Sequence, residues 1–270
     1  MQECYLFEKG KLIIKDSESH LDVRGHILPF TVDEEGKKSP YYQEERSSRG
    51  HLLRAFFSVD GYLEGHSISY LEDGSIFSEC YYKRGEFHGP SRYFSQKGIC
   101  LTESWFLDGN QVGKGVRRYP SGAIYALERY QDGEFHGKQQ LYFGSGGLES
   151  VYYYDRGKLE GKVTSFWPSG KVLQERHYKR GRQDGLERRW SEAGVLLEEG
   201  SYQRGDPIGQ HLFYSESGAL IEERIYRPED FSFDQKRWSE EGILFSEREF
   251  VDEAEKYWHE NIRPMRERES

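Results

Sequence analysis

The chain has 270 residues and a net charge of -9, with 35% of its residues hydrophobic, 31% charged and 15% aromatic. That acidic balance excludes the basic stripe a phosphate backbone needs to displace counterions, and it works against an anionic membrane surface. The aromatic content excludes a disordered chain, and three cysteines without a CxxC exclude a disulfide framework or a zinc knuckle.

The first residues, Met1-Gln2-Glu3-Cys4, show no basic segment followed by an apolar run, and no stretch approaches the ~18 apolar residues of a membrane span. The expected location is cytoplasmic. Residues 1–48 weakly echo the remainder of the chain: Arg24-Gly25-His26-Ile27-Leu28 repeats as Arg49-Gly50-His51-Leu52-Leu53. They are expected to form degenerate N-terminal repeats that cap the array.

From residue 49 to 250 the chain repeats every 24 residues. Gly61, Gly85, Gly109, Gly133, Gly157, Gly181 and Gly205 form one column, and a second glycine follows each after four residues, from Gly65 to Gly209. A third column runs without a break from Gly50 to Gly242. An aromatic column, Tyr82, Phe106, Tyr130, Tyr154, Tyr178, Tyr202, Tyr226 and Phe250, keeps the same register. So does an aliphatic one that includes Ile76, Cys100, Ile124 and Val172.

Each repeat reads as a β-hairpin. In one of them residues 162–167 form a strand, Pro168-Ser169-Gly170 the turn and residues 171–178 the return. Gly122, Gly170 and Gly218 should therefore have positive φ. The Gly-x-x-x-Gly stretch is expected to link one hairpin to the next, with close backbone approach at its glycines. The fold class is thus all-β: an elongated antiparallel meander of about nine 24-residue hairpin repeats. After Phe250, Asp252 and Glu255 form a capping box, so residues 251–270 are expected to hold a short C-terminal helix and tail.

Two-residue alternation places Ile76, Ser78, Cys80 and Tyr82 on one face and Phe77, Glu79 and Tyr81 on the other, unless a β-bulge shifts the parity. The aromatic column from Tyr82 is assigned to the core. The second face is the candidate partner-binding surface, through Phe77, Glu79, Tyr81, Leu101, Glu103, Trp105, Tyr125 and Tyr153. Apolar residues left on an open sheet face usually mark an interaction site. Curling of the sheet, or pairing of two copies, are the alternatives. The acids of this row would select a basic protein partner. A solvated row neutralised by Arg117, Arg189 and Arg237 on neighbouring strands is the simpler reading of the same charges.

No catalytic constellation emerges. Gly-x-Ser-x-Gly is absent, and Gly144-Ser145-Gly146-Gly147 occupies a turn position. His88 and His136 are equivalent by repeat, but other units carry Glu64, Val112 and Asp184 there, which argues for a solvent-facing linker site rather than a metal. Neither an enzyme, a cofactor nor a metal is expected.

The pattern Tyr-x-x-Gly-x-x-x-Gly, as in Tyr82-Lys83-Arg84-Gly85-Glu86-Phe87-His88-Gly89 and again from Tyr130 to Gly137, resembles the MORN repeat. It is most similar to the bacterial variant branch whose members are often labelled antitoxin-like. The resemblance implies a scaffold, adaptor or inhibitor that binds another protein. Its second implication is a membrane- or lipid-associated targeting module.

Overall fold

The computed structural model describes residues 3–8, 11–16, 41–230 and 232–252. The expected C-terminal helix lies outside them. The chain divides into two compact units, Met1–Gly146 and Gly147–Ser270.

The first unit holds β1 (Glu3–Glu8), β2 (Lys11–Asp16), β3 (Tyr41–Arg46), β4 (Leu52–Val59), β5 (Tyr62–Tyr70), β6 (Ile76–Lys83), β7 (Glu86–Phe94), β8 (Cys100–Leu107), β9 (Asn110–Arg118), β10 (Ile124–Gln131), β11 (Glu134–Phe135) and β12 (Gly137–Tyr142). The hairpin β1–β2 is a sheet of its own, from β3 to β10 each strand pairs antiparallel with the next, and β11 and β12 both pair with β10. The second unit is built the same way from β13 (Leu148–Asp155), β14 (Lys158–Leu159), β15 (Gly161–Phe166), β16 (Val172–Lys179), β17 (Arg182–Gln183), β18 (Gly185–Trp190), β19 (Leu196–Gln203), β20 (Asp206–Tyr214), β21 (Leu220–Arg227), β22 (Ser232–Trp238) and β23 (Leu244–Val251). The fold is all-β, as the repeat requires.

Two turn types alternate. At Gly170, φ is +85° and its N–H donates to Trp167 O at 2.8 Å, which closes a type I turn with a left-handed last residue. Gly122 and Gly218 have φ of +91° and +84°. No atom lies within 4 Å of where a Cβ on Gly170 would stand, so only the backbone conformation demands glycine there. Gly170→Val is expected to cost ~1–3 kcal/mol, and Lys171→Val well under that, in paired thermal melts.

The other turn corrects the reading of Gly-x-x-x-Gly as a link between hairpins. Arg180 and Gly181 have consecutive positive φ, +52° and +83°, which is a two-residue turn of type I′. The stretch is itself a hairpin. Its second glycine serves a different need. In β4, Phe56 faces Ser67 but Ser58 faces Leu63, so residues 64–66 carry two more residues than their partner strand. Gly65, at φ +76°, sits in this bulge and lies directly opposite Tyr82 of the next strand. Close backbone approach is not the reason at the equivalent Gly161 and Gly209, where a Cβ would meet nothing within 4 Å, whereas at Gly185 it would meet the His177 side chain at 3.1 Å.

A further bulge follows each type I turn. Ser69 faces Ser78 while Tyr70 faces Ile76, which leaves Phe77 as the extra residue. Leu101 and Tyr125 are the extra residues in β8 and β10 by the same register shift.

The face that carries Tyr82 holds the core. Within the first unit Tyr82, Phe87 and Phe106 stack at 4.8 and 5.0 Å, and Tyr130 meets Phe135 at 4.8 Å. In the second unit Tyr226, Phe233 and Phe250 continue at 5.1 and 4.7 Å. Beside the rings runs a buried row of small or polar residues: Ser67, Cys80, Ser91, Ser104, Glu128 and Gln139 in the first unit, and Val163, Glu187, His211 and Gln235 in the second.

The bulges explain why polar residues are tolerated in that row. A bulged residue loses ladder hydrogen bonds, and a buried backbone group must find another partner. The Gln139 carboxamide accepts from Arg129 N–H at 2.8 Å and also donates to Arg129 O at 2.9 Å, beside the bond that this carbonyl takes from His136 N–H at 3.0 Å. Three repeats later His211 Nε2 donates to Ser201 O at 2.9 Å, in the same relation.

Candidate docking surface

The eight residues expected on one face fall into two groups, because the bulge at Phe77 breaks the two-residue alternation. The Phe77 ring lies edge-on to Tyr93 at 5.8 Å, and Tyr93 is in register with Ser78, so Phe77 turns toward the Ser78 face. Glu79 points the opposite way, across from Arg92.

Phe77 is 43% exposed, Tyr125 37% and Tyr153 43%. Tyr81 is a correction. It is 3% exposed and stacks on His66 at 4.7 Å, so it belongs to the packing and not to a docking surface. Burial pushes its phenol up to about 12. Trp105 and Leu101 are half-buried. Tyr153 lies in the second unit, apart from the other seven.

The exposed aromatics of the first unit form two edge-on pairs, Phe77 with Tyr93 and Tyr119 with Tyr125, the latter at 5.2 Å. Ile76 and Ile124 beside them are also exposed. Tyr93, Tyr119, Ile76 and Ile124 were not among the sequence candidates. Residue spacing carries no clear signal for Tyr93, whose column mixes Ser69, Arg117, Leu141, Arg189 and Phe213.

Glu79 and Glu103 are neutralised by Arg92, which stands between them at 3.5 and 3.0 Å. The hydrogen bond from His66 at 3.1 Å, with Arg92 beside it, holds the Glu79 carboxyl below its ordinary value. Burial pulls the Arg92 guanidinium down, but Glu103 and Glu79 outweigh it and raise it. In the second unit the equivalent acids have separate partners, Glu175 on Lys162 at 2.6 Å and Glu199 on Arg188. The expected counterions Arg117, Arg189 and Arg237 are one column away. They pair with Glu128, Glu198 and Glu222 at 3.1, 3.1 and 2.8 Å, on the core face.

His88 is also a correction: it is buried, not solvent-facing, and its Nδ1 accepts from Asp108 N–H at 3.2 Å. Burial lowers it, with Lys83 adding to the effect. Among the described residues no three His, Cys, Asp or Glu side chains converge as metal ligands would, and no helix is long and apolar enough to cross a membrane.

The model of the MORN repeat variant matches residues 63–84, 159–180 and 183–204. The chain carries MORN repeat variants. Each matched MORN segment begins on the strand after a type I′ turn and ends within the next such turn. MORN repeats are in general repeats of protein and membrane interaction. No curated protein matches the chain.

Among solved structures the chain is similar to the Photorhabdus luminescens Tc holotoxin pore, at 12% identity and a TM-score of 0.20, over 82% of this chain and 15% of that one. It is also similar to the TcdB2-TccC3 structure without its hypervariable C-terminal region, at 12% identity and a TM-score of 0.21, over 78% of this chain and 14% of that one. The chain thus spans about 15% of the length of these structures, and at such scores the likeness carries no argument. None of these matches bears on the inhibitor role implied by the antitoxin-like branch.

Proposed function

We propose that the chain is a non-catalytic docking module for another protein, acting in the cytoplasm, and that the partner seats on the aromatic strip of the first unit. The observation that carries this reading is the set Ile76, Phe77, Tyr93, Ile124 and Tyr125, each more than a third exposed on a rigid sheet. Rings held by strands bury large area with few rotors to freeze, which is what interface anchors need. The chain's net charge of -9 favours a basic partner and a fast approach. An inhibitor of one bound protein, as the antitoxin-like label implies, is the narrower form of the same role. The alternative is a membrane- or lipid-associated module, which the acidic balance opposes.

The double variant Phe77→Ser/Tyr125→Ser separates these readings. Affinity capture from native lysate with mass spectrometry is expected to lose a partner that the unaltered chain retains, at an unchanged melting temperature. Sedimentation with anionic liposomes is expected to leave both proteins in solution. Sedimentation of the unaltered chain, lost in the variant, would favour the lipid reading.

A further inference from the structure

Beyond docking, the second unit contains a buried imidazole with no comparable feature elsewhere in its row. His211 on β20 is 2% exposed. Its ring fills the space left by Gly200 on the neighbouring strand β19: a Cβ on Gly200 would stand 2.1 Å from His211 Nδ1. Tyr202 and Tyr226 hold the ring edge-on from either side, at 5.2 and 4.8 Å. Nε2 lies 2.9 Å from Ser201 O, and because a carbonyl only accepts, Nε2 carries a proton, which leaves Nδ1 bare in the neutral ring. A second proton would have to enter at Nδ1, against the Gly200 backbone.

The surroundings give that proton little compensation. On β18, Glu187 accepts from Gln174 and Gln183 at 2.5 and 2.6 Å, so neutral amides already engage both carboxyl oxygens. On β19, Glu198 is drawn to Arg189 at 3.1 Å, and Tyr202 contributes only a phenol. On β21, Arg224 stands opposite His211 in register, with Glu222 at 2.6 Å and the Tyr226 hydroxyl at 3.2 Å. On β22, the facing residue is Gln235, which donates to Glu222 at 2.8 Å. Burial is the largest influence and lowers His211 from its ordinary value, with the Ser201 carbonyl, Glu198 and Glu187 opposing. The first unit differs: its buried imidazole, His88, has the Asp108 carboxylate 3.1 Å away.

We propose that His211 is an acid-sensitive latch of the second unit: in mildly acidic solution it takes a proton at Nδ1, leaves the slot over Gly200 and frees β19 and β20. The sign is set by linkage. The released imidazole binds a proton near pH ~6.5 and the seated one only at lower pH, so the closed state loses stability as pH falls below about 6.5 and the loss levels off below the seated value. Release also removes the side-chain hydrogen bond from His211 to Ser201 O, which ties β20 to β19 across the bulge, so the two strands loosen together.

The test is hydrogen exchange by mass spectrometry on the full chain, corrected for intrinsic rates. Protection in peptides covering 196–214 is expected to fall about threefold or more between about pH 7.5 and about pH 5.5, with less change over β6–β9. His211→Gln is expected to remove the response, because a carboxamide can donate to Ser201 O as Gln139 does to Arg129 O. Long-range nitrogen–proton NMR of the unaltered chain should show His211 neutral, with the proton on Nε2, at about pH 7.5 and a midpoint below ~6.5. An equal acid response in His211→Gln would overturn the proposal. So would a charged His211 at neutral pH, and that titration decides the matter if the variant does not fold.

Discussion

Gly200→Ala is expected to destabilise the second unit by about 2–4 kcal/mol. Most glycines here answer a backbone demand, and a side chain at those positions pays only for a strained φ. Gly200 is different. Its φ is not in the left-handed region, yet a Cβ would fall 2.1, 2.4 and 2.5 Å from three atoms of the His211 ring. No small adjustment relieves such overlap, because Tyr202 and Tyr226 close the slot on both sides. The ring must leave, and the hydrogen bond from Nε2 to Ser201 O goes with it. Overpacking costs ~1–3 kcal/mol and the lost hydrogen bond ~0.5–1.5 kcal/mol more. A double-mutant cycle with His211→Ala is the check. Removing the ring empties the slot, so the double variant should be more stable than the sum of the two single effects predicts. A cost of Gly200→Ala below about 1 kcal/mol, or a coupling near zero, would show that the slot relaxes easily.

The same position shows what a sequence can and cannot disclose. The period, the turn glycines and the aromatic column from Tyr82 to Phe250 are legible because each demand is local: a left-handed φ, or a ring beside its neighbour one repeat away. Gly200 breaks a column that reads Phe56, Cys80, Ser104, Glu128, Tyr152 and Arg176, but its reason lies eleven residues further on, in the ring of His211. Parity was legible only between bulges. A single extra residue at Phe77 turns its ring toward Tyr93, and the surplus in residues 88–90 breaks the register again opposite Tyr81. The residues of the expected face therefore separate by burial: Phe77 and Tyr125 are exposed, whereas Tyr81 is packed. The arginine partners failed for the same reason. Arg117 and Val116 are neighbours in sequence, but register sets Val116 opposite Glu103 and puts Arg117 on the core face with Glu128. Nothing in residue spacing fixes which of two adjacent columns faces the acids.

The core and the docking strip make opposite demands within one strand, β10. Tyr130→Ala is expected to cost about 3–5 kcal/mol, as large-to-small changes in packed positions do. Its ring meets Phe135 at 4.8 Å and stands opposite Gly113. Its hydroxyl donates to Glu128 at 2.9 Å, and Arg117 holds the same carboxylate at 3.1 Å. Truncation therefore removes the ring contact and also one of the two donors to a buried acid, a loss worth ~1–3 kcal/mol where the group stays buried. Burial, with Glu128 next, pushes the Tyr130 phenol up to about 12. An unfolded tyrosine ionises near ~10, so the unfolded chain releases this proton first and Tyr130's contribution fades as pH rises from about 10 to about 12. Tyr130→Phe should cost only the hydroxyl's share at neutral pH, ~1–3 kcal/mol, and lose that alkaline slope. Tyr125→Ala, five residues earlier, should behave in the opposite way. Tyr125 is the extra residue of its bulge, 37% exposed, with only Tyr119 edge-on at 5.2 Å. Its loss should shift stability by roughly 0.5 kcal/mol while weakening partner capture several-fold. Denaturant melts and quantitative capture on the two variants give a crossed pattern if the strip is the docking surface. If Tyr125→Ala instead unfolds the first unit as Tyr130→Ala does, the ring is structural and the docking surface lies elsewhere.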